Sequence, residues 1–186
     1  MRSAVEGPRA RGGFRIQLLG SFTVQVDGNA AEAGHWRLRK ARALVAMLAL
    51  APGQRCQREQ ILDRLWPDLE FAEASRNLHQ TLYVARRTLA GLGVAGDCLM
   101  ILRDGRVVLD GDGDVAVDVL EFERVAAAAL ASGVEAGLRD AAELYVGELL
   151  PEFPDAQWLM GRRVALGALN REVLVKLAAT VRHDAP

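Results

Sequence analysis

Leu78, Leu82, Ala85 and Leu89 recur at steps of four, three and four residues, the spacing that lines one stripe of an α-helix. Turning that stripe inward leaves Glu73, Arg76, Gln80, Tyr83, Val84 and Arg87 on the opposite face. These side-chain types suit a polymer of bases and phosphates. A guanidinium pairs with the guanine edge and a carboxamide with the adenine edge; the Val84 methyls can meet a thymine methyl, and the Tyr83 hydroxyl a phosphate. The bland alternative is an ordinary solvated face. Arg103 and Arg106 flank Asp104-Gly105 between two apolar runs, a position from which they can grip a phosphate or enter a minor groove. Arg37, Arg39, Lys40 and Arg42 precede or open an earlier helix, and Arg55 and Arg58 precede a second whose N-terminal amides can help hold a phosphate.

Other chemistry finds little support. The run DGDGDVAVDVLE sets Asp110, Asp112, Asp114, Asp118 and Glu121 at positions 1, 3, 5, 9 and 12 of a calcium-loop template. Val115 occupies the place where that template needs Gly, and a strand rather than a helix comes before it, so the run reads as a solvated junction. No phosphate-binding Gly-rich loop, nucleophile elbow or H-E-x-x-H occurs, and His35, His79 and His183 lack metal-ligand spacing. Cys56 and Cys98 lie far apart in apolar surroundings and read as buried thiols. Neither catalysis nor a cofactor is expected.

The elements that must position these residues follow from periodicity. Residues 14–19 and 21–26 alternate as half-buried strands with a turn at Asp27-Gly28. Helices are expected over 38–51, 59–66 and 72–90, stopped by Pro52-Gly53, Pro67, and Gly91 with Gly93. Residues 99–102 and 107–109 form a hairpin across Asp104-Gly105. Residues 111–118, rich in Gly and Asp, read as a junction, and helices follow over 119–132, 134–146 and 157–182. The fold class is therefore α+β: a winged helix-turn-helix with a small antiparallel sheet, three helices and a hairpin wing, followed by an all-α segment.

Charge divides along the same line. Residues 35–90 hold ten Lys/Arg against five Asp/Glu, whereas residues 104–160 hold three against thirteen, although the whole chain carries a net charge of −1. The basic half suits a polyanion, and the acidic half suits protein or repels nucleic acid. The first thirteen residues hold three arginines and no apolar run, as a loose tail would, and no apolar run in the chain is long enough to span a membrane.

The stretch RKARALVAMLALAPGQRCQREQILDRLWPDLEFAEASRNLHQTLYVARRTL resembles the DNA-binding part of the Streptomyces antibiotic regulatory protein family, chiefly through Leu65-Trp66-Pro67, Ala74, Arg76-Asn77-Leu78 and Arg86. FRIQLLGSFTVQVDG is similar to that family's opening strands, and AAELYVGELLPEFPDAQWLMGRRVAL to its activator domain. The family tends to carry basic residues where this chain has His79 and Val84. The resemblance implies a tail over 1–13, an OmpR-type (OmpR/PhoB-type) winged helix over 14–112, and over 113–186 the tetratricopeptide-like start of a bacterial transcriptional activator domain, cut short relative to the family. It implies a sequence-specific regulator, an activator that binds direct repeats in double-stranded DNA and recruits RNA polymerase; the lack of a signal or span points to the cytoplasm, and the helical segment is the expected contact with further helices or with a second copy of the chain as a homodimer. The expected DNA contacts are Arg55, Arg58, Arg76, His79, Gln80, Tyr83, Val84, Arg86, Arg87, Arg103 and Arg106. The rival reading is a protein-interaction module whose winged helix no longer binds DNA. In either case Leu120, Phe122, Leu144, Tyr145, Phe153, Trp158 and Leu159 should pack the helices together. With three helices and no fourth, Leu166, Leu169, Val173 and Leu177 should form an open apolar strip.

Overall fold

The computed structural model of the chain describes residues 14–27, 29–94, 98–109 and 115–183; the expectations for residues 1–13 and for Asp110, Asp112 and Asp114 fall outside these. The architecture is α+β. Strands β1 (Phe14–Gln17), β2 (Thr23–Val26) and β3 (Asn29–Glu32) run antiparallel in sequence. Their inward residues Phe14, Ile16, Val24, Val26 and Ala31 alternate with exposed ones, the period-2 pattern of a sheet with one buried face. The sheet is mixed rather than purely antiparallel. β7 (Ala116–Val117), inside the stretch expected to be a bare junction, pairs in parallel with Arg15 and Ile16, giving the order β3-β2-β1-β7.

Helix α1 (Arg39–Leu50) is nearly surrounded, with every residue from Ala43 to Ala49 buried. A turn at Pro52–Gln54, with Gly53 at φ 60°, ends it and feeds the short strand β4 (Arg55–Gln57) and helix α2 (Arg58–Leu65). Trp66 caps α2, Pro67 comes next, and α3 (Phe71–Gly91) then runs for 21 residues. It buries the expected stripe Leu78, Leu82, Ala85 and Leu89, together with Ala74 and Thr81. β5 (Leu99–Ile101) and β6 (Arg106–Leu109) form the expected hairpin. They also take in β4, which was not expected, so that three strands lie in the order β4-β6-β5.

Helices α4 (Asp118–Ser132), α5 (Glu135–Leu144) and α6 (Gln157–His183) pack on one another and, through α4, on β1 and β7. The joint between this helical part and the rest is built from backbone. The Asp118 carboxylate accepts the N–H of Leu18, Leu19 and Val119 at 2.8–2.9 Å. Leu150 N–H donates to Leu18 O, Gly20 N–H donates to Glu148 O, and Glu152 Oε1 accepts Phe22 N–H at 2.9 Å. Arg163 of α6 shapes the partner loop by donating to the carbonyls of Leu149, Leu150, Phe153 and Pro154. Asp118 is thus a structural carboxylate at a helix start and not part of a solvated junction, and Glu121 faces Arg15 at 3.5 Å. No cluster of metal-ligating side chains occurs among the described residues. None of the described helices is long and apolar enough to cross a membrane.

Two expectations about the helical part are corrected. Leu166 and Val173 are buried, and Leu169 and Leu177 are half-buried against the core, because α4 and α5 already cover that strip. The outward apolar residues of α6 are instead Met160, Val164, Leu174 and Val175. Of the expected packing residues, Phe122, Phe153 and Leu159 are buried and Leu144, Tyr145 and Trp158 half-buried, whereas Leu120 is exposed.

The joint makes a sharp prediction about two glycines. A Cβ at Gly147 would stand 2.8 Å from Gly20 Cα, and backbone cannot swing aside as a side chain can. Gly147→Ala should therefore destabilise the chain by about 1–3 kcal/mol in urea unfolding. Gly161, inside α6 with open space around it, should respond in the opposite sense: Gly161→Ala gains about 0.5–1 kcal/mol from helix propensity.

Candidate nucleic-acid interface

The outward face of α3 follows from its inward one. With Ala74, Leu78, Leu82, Ala85 and Leu89 pinned in the core, 100° per residue turns Arg76, Gln80, Tyr83 and Arg87 to solvent at steps of four, three and four. Tyr83 is 61% exposed. His79 stands beside this row, with Nδ1 2.8 Å from Ser75 O, so its other ring nitrogen is the one turned outward. Val84 does not belong to the row. It is half-buried against the core, and its carbonyl accepts the Thr88 hydroxyl at 3.1 Å.

Arg86 points the other way as well. Its Nε donates to Leu99 O at the start of β5, so the guanidinium ties α3 to the β5–β6 hairpin. Burial of its stem and the bond to a carbonyl make it a positioning residue for both elements. At the tip of the hairpin, Leu102 N–H closes on Arg106 O at 2.8 Å and Gly105 takes φ +83°, a conformation that favours glycine. Arg106 turns back on Asp104, whose carboxylate accepts its Nε at 2.8 Å and its backbone N–H at 3.1 Å. That hydrogen-bonded pairing holds the Asp104 carboxyl below its usual range and the Arg106 guanidinium above its own. Arg103 is left exposed at the tip with no partner among the described residues.

Arg58, at the first turn of α2, contacts the Ser75 hydroxyl and lies 5.4 Å over the Phe71 ring, a contact between α2 and the start of α3. Arg55 is exposed on β4, at the open side of the three-stranded sheet. Of the expected residues, Arg55, Arg76, His79, Gln80, Tyr83, Arg87 and Arg103 are therefore exposed, Arg58, Val84 and Arg86 are engaged inside the fold, and Arg106 is paired with Asp104 at the exposed hairpin tip. Phe71 was not anticipated. It lies three residues before Ala74 and seven before Leu78, which reads as core spacing, yet the core ends before it and the ring is 59% exposed.

The chain is similar in sequence to transcriptional regulatory proteins. Two curated relatives carry the name Transcriptional regulatory protein MoaR1, one from Mycobacterium bovis (strain BCG / Pasteur 1173P2) and one from Mycobacterium tuberculosis (strain ATCC 25618 / H37Rv). Each is 27% identical over 177 residues, covering 95% of this chain and 53% of the relative, so the chain spans about half the length of the curated relatives it matches. The fold is similar to that of Mycobacterium tuberculosis EmbR, solved in complex with a low affinity phosphopeptide: TM-score 0.75 at 22% identity, over 90% of this chain and 45% of that one. No family model matches the chain.

Adjacent arginines on α3 should behave as opposites. Arg86→Ala frees α3 from β5 and strands the Leu99 carbonyl, which should lower stability by about 1–3 kcal/mol in urea unfolding. Arg87→Ala removes an exposed side chain and should stay within about 0.5 kcal/mol of the parent.

Proposed function

We propose that the chain is the DNA-reading part of a bacterial transcription regulator similar to the Streptomyces antibiotic regulatory proteins. Residues 14–112 act as an OmpR-type winged helix, and residues 113–186 as the tetratricopeptide-like start of an activator domain. The observation that carries this reading is the uncovered row Arg76, Gln80, Tyr83 and Arg87 on a helix that Arg86 fastens to a hairpin tipped by Arg103. α3 enters the major groove with Arg76 and Gln80 toward base edges, and Tyr83 and Arg87 toward the backbone. The β5–β6 hairpin is the wing, and Arg103 meets a phosphate or the adjacent minor groove. Arg55 and His79 complete the contact at its edges.

Arg58, Arg86 and Arg106 act indirectly in this reading by fixing α2, α3 and the wing. Similarity to transcriptional regulatory proteins supports the same function, as do the basic first half and the acidic helical half, which electrostatics keeps from the duplex. Binding to direct repeats and recruitment of RNA polymerase follow from the resemblance. The protein works in the cytoplasm without a cofactor.

Selection of bound fragments from genomic DNA, followed by mobility shifts on the best fragment, tests the proposal. Arg76→Ala and Gln80→Ala should each alter the preferred sequence, at a discrimination cost of about 1–3 kcal/mol per base contact. Arg103→Ala should weaken all sequences alike and reduce the slope of log K against log salt by about 1. No selected DNA, with affinity indifferent to salt, would leave the protein-interaction module as the better reading.

A further inference from the structure

A groove of about 950 Å³ opens where α1 and the end of α2 face the start of α6, on the seam between the two halves of the chain. Its size is that of a small-molecule site, and sites of this kind favour interfaces between parts of a fold. Three aromatic side chains line it: Trp66 after α2, Phe153 in the loop before α6, and Trp158 in the first turn of α6. Trp66 and Trp158 are half-buried, so part of each indole is open.

Arg39, Lys40 and Arg64 line the same groove, and the first two hold positions beside its aromatic walls. The Arg39 guanidinium lies 4.9 Å from the centre of the Phe153 ring and donates to Glu152 O at 3.0 Å. The Lys40 ammonium donates to Leu65 O and lies 5.8 Å from the centre of the Trp66 ring. Neither forms an ion pair with any described residue. Partial burial, and secondarily the neighbouring Arg39, pull the Lys40 ammonium below its usual range, so an incoming anion would restore what the site costs that charge. Asp63, Asp68 and Asp155 also line the groove and are exposed. They make a polyanion such as DNA a poor occupant while leaving room for one negative charge beside Arg39 and Lys40.

We propose that this groove binds a small planar aromatic carboxylate, its ring against Trp66 and Trp158 and its carboxylate at Arg39 and Lys40. The apolar walls supply affinity and the two cations fix orientation. Such a ligand touches the DNA-reading half through α1 and α2 and the helical half through α6. Occupancy of the groove does not depend on the DNA-binding reading.

Titration calorimetry of the full chain with 2-naphthoate tests the site, with 2-naphthylmethanol as the ring without charge and acetate as the charge without ring. Saturable naphthoate binding at least tenfold tighter than naphthylmethanol, with no measurable acetate binding, is expected. Lys40→Met, which keeps the apolar stem and removes one charge, should weaken naphthoate without changing naphthylmethanol, and the double variant Arg39→Met with Lys40→Met should bring naphthoate to the level of naphthylmethanol. The three tryptophans give a second readout that needs no variant: naphthoate should shift the indole N–H resonances of Trp66 and Trp158 and leave that of Trp36, which does not line the groove. Equal affinity for the charged and uncharged rings overturns the proposal. So does a charge preference that survives undiminished in the folded double variant Arg39→Met with Lys40→Met, a shift confined to Trp36, or the absence of saturable naphthoate binding up to millimolar concentration.

Discussion

The carboxylate of Asp118 is the point on which the two halves of this chain turn. β1 ends where the chain bends at Leu18 and Leu19, and a bend leaves backbone N–H groups without strand partners. Buried donors of that kind cost on the order of 1–3 kcal/mol each when unpaired. Asp118 accepts both of them and the N–H of Val119 as well, from the first residue of α4, where the helix dipole favours a negative charge. Burial pushes the Asp118 carboxyl upward in pKa, and the three N–H donors oppose that shift. One side chain thereby fixes the direction of α4 against β1, brings β7 into the sheet, and leaves Leu18 O free to receive Leu150 N–H.

Much of the charge that looks available in the sequence is consumed in holding this arrangement. Arg42 stands 3.9 Å from Glu152 and over Phe153, and Arg39 shares that ring from the other side of the first turn of α1. Glu152 in turn takes Phe22 N–H, and Phe22 packs edge-on against Trp36 at 5.3 Å. The acidic half spends its own charges likewise: Glu123 on Arg162 and Glu148 on Arg163, with Glu135 on Arg139 one helical turn away. Net counts over a segment therefore overstate the field at a surface. What reaches a partner is the unpaired remainder, and on the first half of the chain that remainder includes Arg76, Arg87 and Arg103.

Periodicity made the six helices and the hairpin legible, because each buries a stripe long enough to repeat. The inward stripe of α3 is the clearest case, and the exposed row opposite it follows from the same arithmetic. β4 and β7 are too short, at three and two residues, for a period of two to register, and β7 sits in a Gly/Asp-rich stretch whose composition argues for a turn. Val84 and Arg86 show a second limit. Both lie within about one residue's rotation of the exposed row, and only tertiary packing decides that they face the fold: Arg86 binds the start of β5 and Val84 packs against the core. On α6 the pattern identified the right apolar stripe, Leu166 to Leu177, but could not say that α4 and α5 cover it. A stripe records that a face is buried somewhere and not by what.

The continuous packing across the seam limits how any signal can pass through it. α3 is tied to the hairpin by Arg86, α1 meets the loop before α6 through Phe153, and that loop is bound to the bend after β1 by backbone hydrogen bonds. No described segment along this route is a lone flexible link, so α3 moves only if the whole seam does. A molecule lodged between α1 and α6 shifts an equilibrium only by its differential affinity for two states. With one tightly packed arrangement, its first effect is to stabilise that arrangement, by RT ln(1 + [L]/Kd), or about 2.7 kcal/mol at a hundredfold excess over Kd. Control of DNA reading through the groove then requires a second arrangement of the seam in which Asp118 gives up Leu18 and Leu19. Its energetic cost is the loss of both of these N–H bonds to one carboxylate at once, which makes the ligand a clamp on the folded joint and not a switch of it.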